Sequence, residues 1–138
     1  VLRSLPHYRL RYLAQDTAAR KLAEWLSSQP GIARVLHPAL PSCPGHAIWQ
    51  RDFTAAASLF SVLFEPDIAQ ASIDRFVEAL ALFHIGYSWG GAVSLAIPYD
   101  VRDRYPHSGG LVRFYVGLED VDDLIADVGQ ALAQTINL

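Results

Sequence analysis

The chain has 138 residues, a formal net charge of −3, an apolar fraction of 51% and a charged fraction of 18%. That length suits one ordinary domain, and because charged residues usually make up about 25% of a chain, part of the surface is expected to be covered by another domain or subunit. The charge balance offers no basic face for a phosphate backbone, which argues against nucleic acid, and the single cysteine, Cys43, excludes an intrachain disulfide framework and fits a reducing, cytoplasmic setting.

Residue 1 is valine and the sequence contains no methionine, so a processed or cut chain is expected. Val1 to Gln15 carries Arg3, Arg9 and Arg11 without an acid, but it has few hydroxyl residues and runs straight into a helical pattern, unlike a targeting segment. Pro6 can open that helix, and Leu10, Leu13, Ala14, Ala18, Leu22, Trp25 and Leu26 recur at spacings of three and four. The pattern predicts a helix over about 6–28, ended by Ser27-Ser28-Gln29-Pro30-Gly31. Ile32 to Leu36 reads as a short strand. His37 to Gly45 holds Pro38, Pro41 and Pro44 and reads as an irregular loop.

Leu59 to Phe64 reads as a strand. Pro66-Asp67 opens a helix with Ile73, Phe76, Val77 and Leu80 on its buried stripe. From Ala79 to Tyr99 there is no Asp, Glu, Lys or Arg, but Gly86, Gly90, Gly91, Pro98, His84 and two serines break the run. Buried strands at Leu82–Ile85 and Ala92–Ile97, joined by a glycine-rich turn, fit better than a membrane span. A polar loop, Asp100 to Gly110, leads into Gly109-Gly110-Leu111-Val112-Arg113-Phe114-Tyr115-Val116-Gly117, a strand rich in β-branched and aromatic residues. The last element is a helix with Val121, Leu124, Ile125, Val128 and Leu132 on one stripe. Glu119, Asp120, Asp122 and Asp123 crowd its first turn, where the helix dipole favours anions. Helices and strands do not alternate as regular βαβ units. The fold expected is therefore α+β, a two-layer arrangement with a mostly antiparallel sheet and helices packed on one face.

Arg113 is the residue that most needs a partner. Strand side chains alternate, so Val112, Phe114 and Val116 share one side and Arg113 shares the other with Leu111 and Tyr115. A guanidinium amid apolar surface calls for an anion, either a structural Asp or Glu or a ligand, and its planar fork matches a carboxylate or phosphate bidentately.

Other motifs have plainer readings. Gly86-Tyr87-Ser88-Trp89-Gly90 matches the G-x-S-x-G elbow of hydrolases, and Asp100 or Asp103 followed by His107 gives the order of a triad, yet no helix is expected after Ser88. His37, Cys43 and His46 lie in one loop without a zinc spacing or a fourth ligand, so no metal is expected. Lys21, the sole lysine, sits between Arg20 and Glu24 on a polar helix face, unlike the desolvated pocket a Schiff-base lysine requires. Trp89, on its glycine turn, fits either a core aromatic or a ligand wall.

Three segments together resemble one family. They are Val35-Leu36-His37-Pro38-Ala39-Leu40-Pro41-Ser42-Cys43-Pro44-Gly45-His46-Ala47-Ile48-Trp49-Gln50-Arg51-Asp52-Phe53 with Leu59-Phe60-Ser61, then Tyr87-Ser88-Trp89-Gly90-Gly91, then Leu111-Val112-Arg113 on through Gly117-Leu118-Glu119-Asp120-Val121-Asp122-Asp123-Leu124-Ile125-Ala126-Asp127. The run is similar to the C-terminal small domain of the cystathionine β-lyase branch of the Cys/Met-metabolism pyridoxal-phosphate (PLP) enzymes, of fold type I. The resemblance implies a lyase that cleaves a carbon–sulfur bond, with the cofactor as electron sink. It implies that Arg113 holds the substrate α-carboxylate and that Ser88 and Trp89 line the same site. It also implies homotetramers built from dimers.

Relatives of this branch commonly carry an aromatic residue and a glutamate after the glycine pair, where this chain has Ala92 and Val93, a difference that bears on substrate choice. The motif of the cofactor-bearing lysine is absent and Lys21 is not part of it. Residues 1–138 are thus expected to be a single small domain whose first helix continues from an interdomain segment, without the catalytic large domain and inactive alone. A γ-acting transsulfuration enzyme, a methionine γ-lyase, or a standalone anion-binding or dimerisation domain are the alternatives.

Overall fold

The computed structural model describes residue 3, residues 5–104 and residues 109–136. A 3₁₀ turn at Leu5–His7 leads into α1 (Tyr8–Leu26), followed by β1 (Ile32–Leu36), α2 (His46–Asp52), β2 (Leu59–Phe64), α3 (Gln70–Glu78), β3 (His84–Ile85), β4 (Leu95–Tyr99), β5 (Leu111–Tyr115) and α4 (Val121–Thr135). The strands form one sheet in the order β1-β2-β5-β4-β3. All neighbours are antiparallel except β3 and β4, which run parallel. The α+β, mostly antiparallel expectation holds.

β5 is central, with Ser61 of β2 opposite Arg113 on one side and Ile97 of β4 opposite it on the other. Alternation then sorts the side chains. Phe60, Val62, Phe64, Ala96, Val112 and Phe114 turn to one face and are at most 3% exposed. The helices cover that face, burying Ala19, Leu22, Ala23 and Leu26 of α1, Ile73, Phe76 and Val77 of α3, and Leu124, Val128 and Ala131 of α4. Phe114 is the hub, stacked on Phe60 with centroids 5.5 Å apart and edge-on to Phe76 and Phe83 at 6.3 and 5.3 Å. Such pairings add about 0.5–1.5 kcal/mol each beyond area burial.

Several boundaries depart from expectation for identifiable reasons. β3 starts at His84 rather than Leu82, because the Asp127 carboxylate of α4 accepts the N–H groups of Ala81 (2.8 Å) and Leu82 (2.9 Å). β4 starts at Leu95 rather than Ala92, because the Ser94 N–H donates to the Glu119 carboxylate at 2.8 Å. β4 also extends through Pro98, whose absent N–H faces the side beyond the end of β3 and so interrupts no ladder. α3 begins at Gln70, after a turn closed by Ile68 N–H donating to Glu65 C=O. The short α2 was not foreseen at all.

The first helix is where expectation, though right, is out of phase. Leu10 and Leu13 are 69% and 46% exposed, whereas Gln15 and Asp16 are buried. Hydrogen bonds account for the polar pair. Asp16 Oδ1 accepts Ala56 N–H at 2.6 Å and its other oxygen accepts Arg20 Nε at 2.9 Å. The Arg20 guanidinium in turn lies over the Trp49 ring of α2, 5.2 Å from its centroid. α1 and α2 are thereby tied to the segment leading into β2.

Candidate functional site

Arg113 leaves the sheet on the face opposite Phe114. It is partly exposed, and one guanidinium nitrogen, Nη2, donates to the Tyr87 carbonyl at 2.7 Å. Among the described residues no carboxylate lies within ion-pair distance of it. A guanidinium has five N–H donors, so most of the fork remains for an external acceptor. Of the two partners open to it in the sequence, the structural acid is not present among the described residues.

The chain segment from Gly86 to Ala92 arches over this face and carries Ser88 and Trp89. β5 holds both feet of the arch. Tyr87 is bound by Arg113, and Gly91 C=O accepts from Tyr115 OH at 2.7 Å and from Gln15 Nε2 at 2.8 Å. Gln15 Nε2 also donates to the Tyr115 oxygen at 2.8 Å. Behind Gly91, Ala92 C=O accepts Leu118 N–H at 2.8 Å. Gly117 N–H donates to Ser94 Oγ at 2.8 Å, and Ser94 Oγ donates to Glu119 at 2.7 Å. The approach at Gly117 is so close that a Cβ there would stand 2.3 Å from the Ala92 oxygen. Gly90, at φ 88, supplies the left-handed turn at the tip.

Trp89 is 72% exposed, which excludes the reading as a core aromatic. With Tyr8, Arg11, Tyr12, Leu59 and Tyr115 it borders a largely apolar cavity of about 390 Å³ beside the arch. Ser88 and Arg113 are not among the lining residues of that cavity; Ser88 directly follows Tyr87, whose carbonyl Arg113 binds. The sequence reading missed Gln15 and Tyr115 as parts of this site. A signal was present for both, since Tyr115 shares the alternation of Arg113, and a polar pair at Gln15-Asp16 interrupts an otherwise apolar helical stripe.

The other candidates are placed elsewhere. Lys21 is half exposed and pairs with Asp122 at 2.5 Å, so it does not fit a cofactor-bearing lysine. His37 is buried; its Nδ1 accepts Ala39 N–H at 3.2 Å, and its Nε2 has no hydrogen-bond partner among the described residues. Burial, reinforced by the Arg20 charge, lowers its pKa from 6.5 to about 4. His46 Nδ1 pairs with the Pro38 carbonyl at 2.8 Å. Burial raises the pKa of the Cys43 thiol, partly opposed by Arg34. No group of three metal-ligating side chains occurs among the described residues. Ser88 is followed by bends and then β4 rather than by a helix, which removes the hydrolase context, and His107 lies outside the described residues. No helix among the described residues is long and apolar enough to cross a membrane.

Comparison with known proteins identifies the family. Residues 1–133 match the model of the Cys/Met metabolism PLP-dependent enzymes. The chain is 39% identical over 135 residues to the cystathionine beta-lyase of Salmonella typhimurium, covering 92% of this chain and 34% of that protein. It is 41% identical over 140 residues to a Rhizobium johnstonii protein provisionally named cystathionine beta-lyase, covering 96% and 35%. A solved structure from Campylobacter jejuni, provisionally named O-acetylhomoserine (thiol)-lyase and containing N′-pyridoxyl-lysine-5′-monophosphate, superposes with a TM-score of 0.85 at 28% identity, over 96% of this chain and 32% of that one. The chain therefore spans about a third of the length of these relatives. It belongs to the Cys/Met metabolism PLP-dependent enzyme family.

Proposed function

We propose that this chain is the C-terminal small domain of a PLP-dependent carbon–sulfur β-lyase and that it supplies the clamp for the substrate α-carboxylate. The observation that carries the reading is Arg113, a guanidinium without a carboxylate partner among the described residues, beneath an arch that presents Ser88 and Trp89. Its free donors take the two carboxylate oxygens of an amino acid as a fork, and the strand fixes the direction of that fork. Held this way, the amino acid has its Cα–H bond oriented, which contributes through lost rotational freedom rather than through charge at the bond. Ser88 offers a hydroxyl at the arch, and Trp89 offers an apolar wall towards the adjoining cavity.

The cofactor of this family supplies an electron sink for the carbanion at Cα. Lys21, exposed and paired with Asp122, is unsuited to hold it, so no step through the cofactor is assigned to this chain. We place the large domain with the cofactor-bearing lysine elsewhere in the complete enzyme and take the isolated chain to be inactive. The exposed Leu5 of the 3₁₀ turn and Tyr8, Leu10 and Leu13 at the start of α1 are consistent with a surface covered there. A cytoplasmic homotetramer is the assembly proposed for the complete enzyme.

The overall reaction is cystathionine plus water giving homocysteine, pyruvate and ammonia. A γ-acting reading remains as the second, favoured by the 35% identity over 142 residues to the L-methionine gamma-lyase of Pseudomonas deceptionensis. Product analysis of the complete enzyme with cystathionine separates them: pyruvate supports β-cleavage, and 2-oxobutyrate in its place contradicts it.

A further inference from the structure

The Arg113 clamp and the Ser88–Trp89 arch have a common foundation in β5. Arg113 and Tyr115 are two residues apart on one strand and share a face, about 7 Å from one another along the strand. Each binds one foot of the arch, Arg113 at the Tyr87 carbonyl and Tyr115 at the Gly91 carbonyl. The foot at Gly91 is the more completely determined. One Gln15 amide hydrogen goes to Gly91 C=O and the other to the Tyr115 oxygen, while the Tyr115 hydrogen goes to Gly91 C=O. Both Gly91 lone pairs and both Gln15 hydrogens are then used, so no rotor in the triangle is left free. The triangle is also shielded, with Tyr115 only 3% and Gln15 8% exposed.

We infer that Tyr115, fixed by Gln15, is a positioning residue for amino-acid binding, setting where Ser88 and Trp89 stand relative to the Arg113 guanidinium. The inference rests on the reading of Arg113 as the carboxylate clamp and goes beyond it. When a carboxylate engages the Arg113 fork, the guanidinium is drawn towards the ligand and its hold on Tyr87 is shared. The Tyr115–Gln15–Gly91 triangle keeps the other foot in place, so the arch does not follow the ligand. Trp89 then remains a fixed wall of the cavity that Tyr115 also lines.

The test uses Tyr115→Phe, which keeps the buried ring, and Gln15→Leu, both in the complete PLP-bound enzyme, with Arg113→Ala alongside. In Tyr115→Phe, KM for the amino-acid substrate is expected to rise roughly tenfold with a smaller effect on kcat. Hydrogen exchange of the Gly86–Ala92 amides is expected to quicken in both triangle variants. A merely structural role would lower the melting temperature and leave KM unmoved, and that outcome overturns the inference, as does unchanged exchange at Gly86–Ala92. Arg113→Ala distinguishes the two levels. If its KM is also unaffected, the clamp reading falls; if its KM rises while that of Tyr115→Phe does not, only the positioning role falls.

Discussion

Asp127→Ala removes the carboxylate that holds the turn between α3 and β3. Asp127 is 6% exposed and accepts the backbone N–H groups of Ala81 and Leu82 at 2.8 and 2.9 Å, with Gln130 Nε2 at 3.2 Å behind them. Hydrogen bonds to a charged acceptor contribute about 1.5–3 kcal/mol each, and an orphaned buried donor costs about 1–3 kcal/mol. Two such bonds, offset by relief of the buried charge, give an expected loss of about 3 kcal/mol. For a domain of this size, with m near 2 kcal/mol/M, that is about 1.5 M in the urea midpoint. Asp127→Asn should lose nearly as much, because its amide can accept from one N–H while setting a donor against the other. Urea unfolding of the chain followed by circular dichroism reads both. Midpoints within about 0.3 M of the parent for both variants would refute the reasoning, since the two backbone donors would then have found other partners.

His37 gives a pH dependence of defined sign. Its folded pKa of about 4 lies below the unfolded 6.5, so the unfolded chain binds the extra proton between those values and stability falls as pH drops through that window. The gap corresponds to about 3 kcal/mol, fully present above pH 6.5. His37→Asn, which retains an acceptor for Ala39 N–H, should flatten the slope of stability between pH 6.5 and 4; an unchanged slope assigns the effect to another group. Treatment of the isolated chain with PLP and borohydride should leave no stoichiometric adduct on Lys21, checked by mass spectrometry, and such an adduct would return that residue to consideration.

The parts of the fold that followed from sequence are those where a local pattern and its tertiary setting agree. Leu59–Phe64 became β2 with the expected bounds because its β-branched and aromatic residues meet a core on one face. The acidic start of the last helix was likewise readable, since Asp120 accepts the Asp122 N–H at 2.8 Å as its cap. Arg113 could be singled out from alternation alone. What escaped depended on partners far away in sequence. The starts of β3 and β4 are set by Asp127 and Glu119, 45 and 25 residues distant. The phase of α1 shifted because Gln15 reaches Tyr115, 100 residues on. α2 spans seven residues, is preceded by Gly45 in a left-handed conformation and has no side-chain cap, so no start signal marks it.

The central claim is that Arg113 binds the α-carboxylate of an amino-acid substrate. The most direct measurement is kcat/KM of the complete enzyme carrying Arg113→Ala, with the Arg113→Lys variant beside it. The account predicts a loss of at least about a hundredfold for Ala, the scale of a charge-assisted pair, and only partial recovery with Lys, whose point charge cannot form the fork. If Arg113→Ala keeps kcat/KM near that of the parent, Arg113 serves the arch through Tyr87 alone, and the clamp is elsewhere.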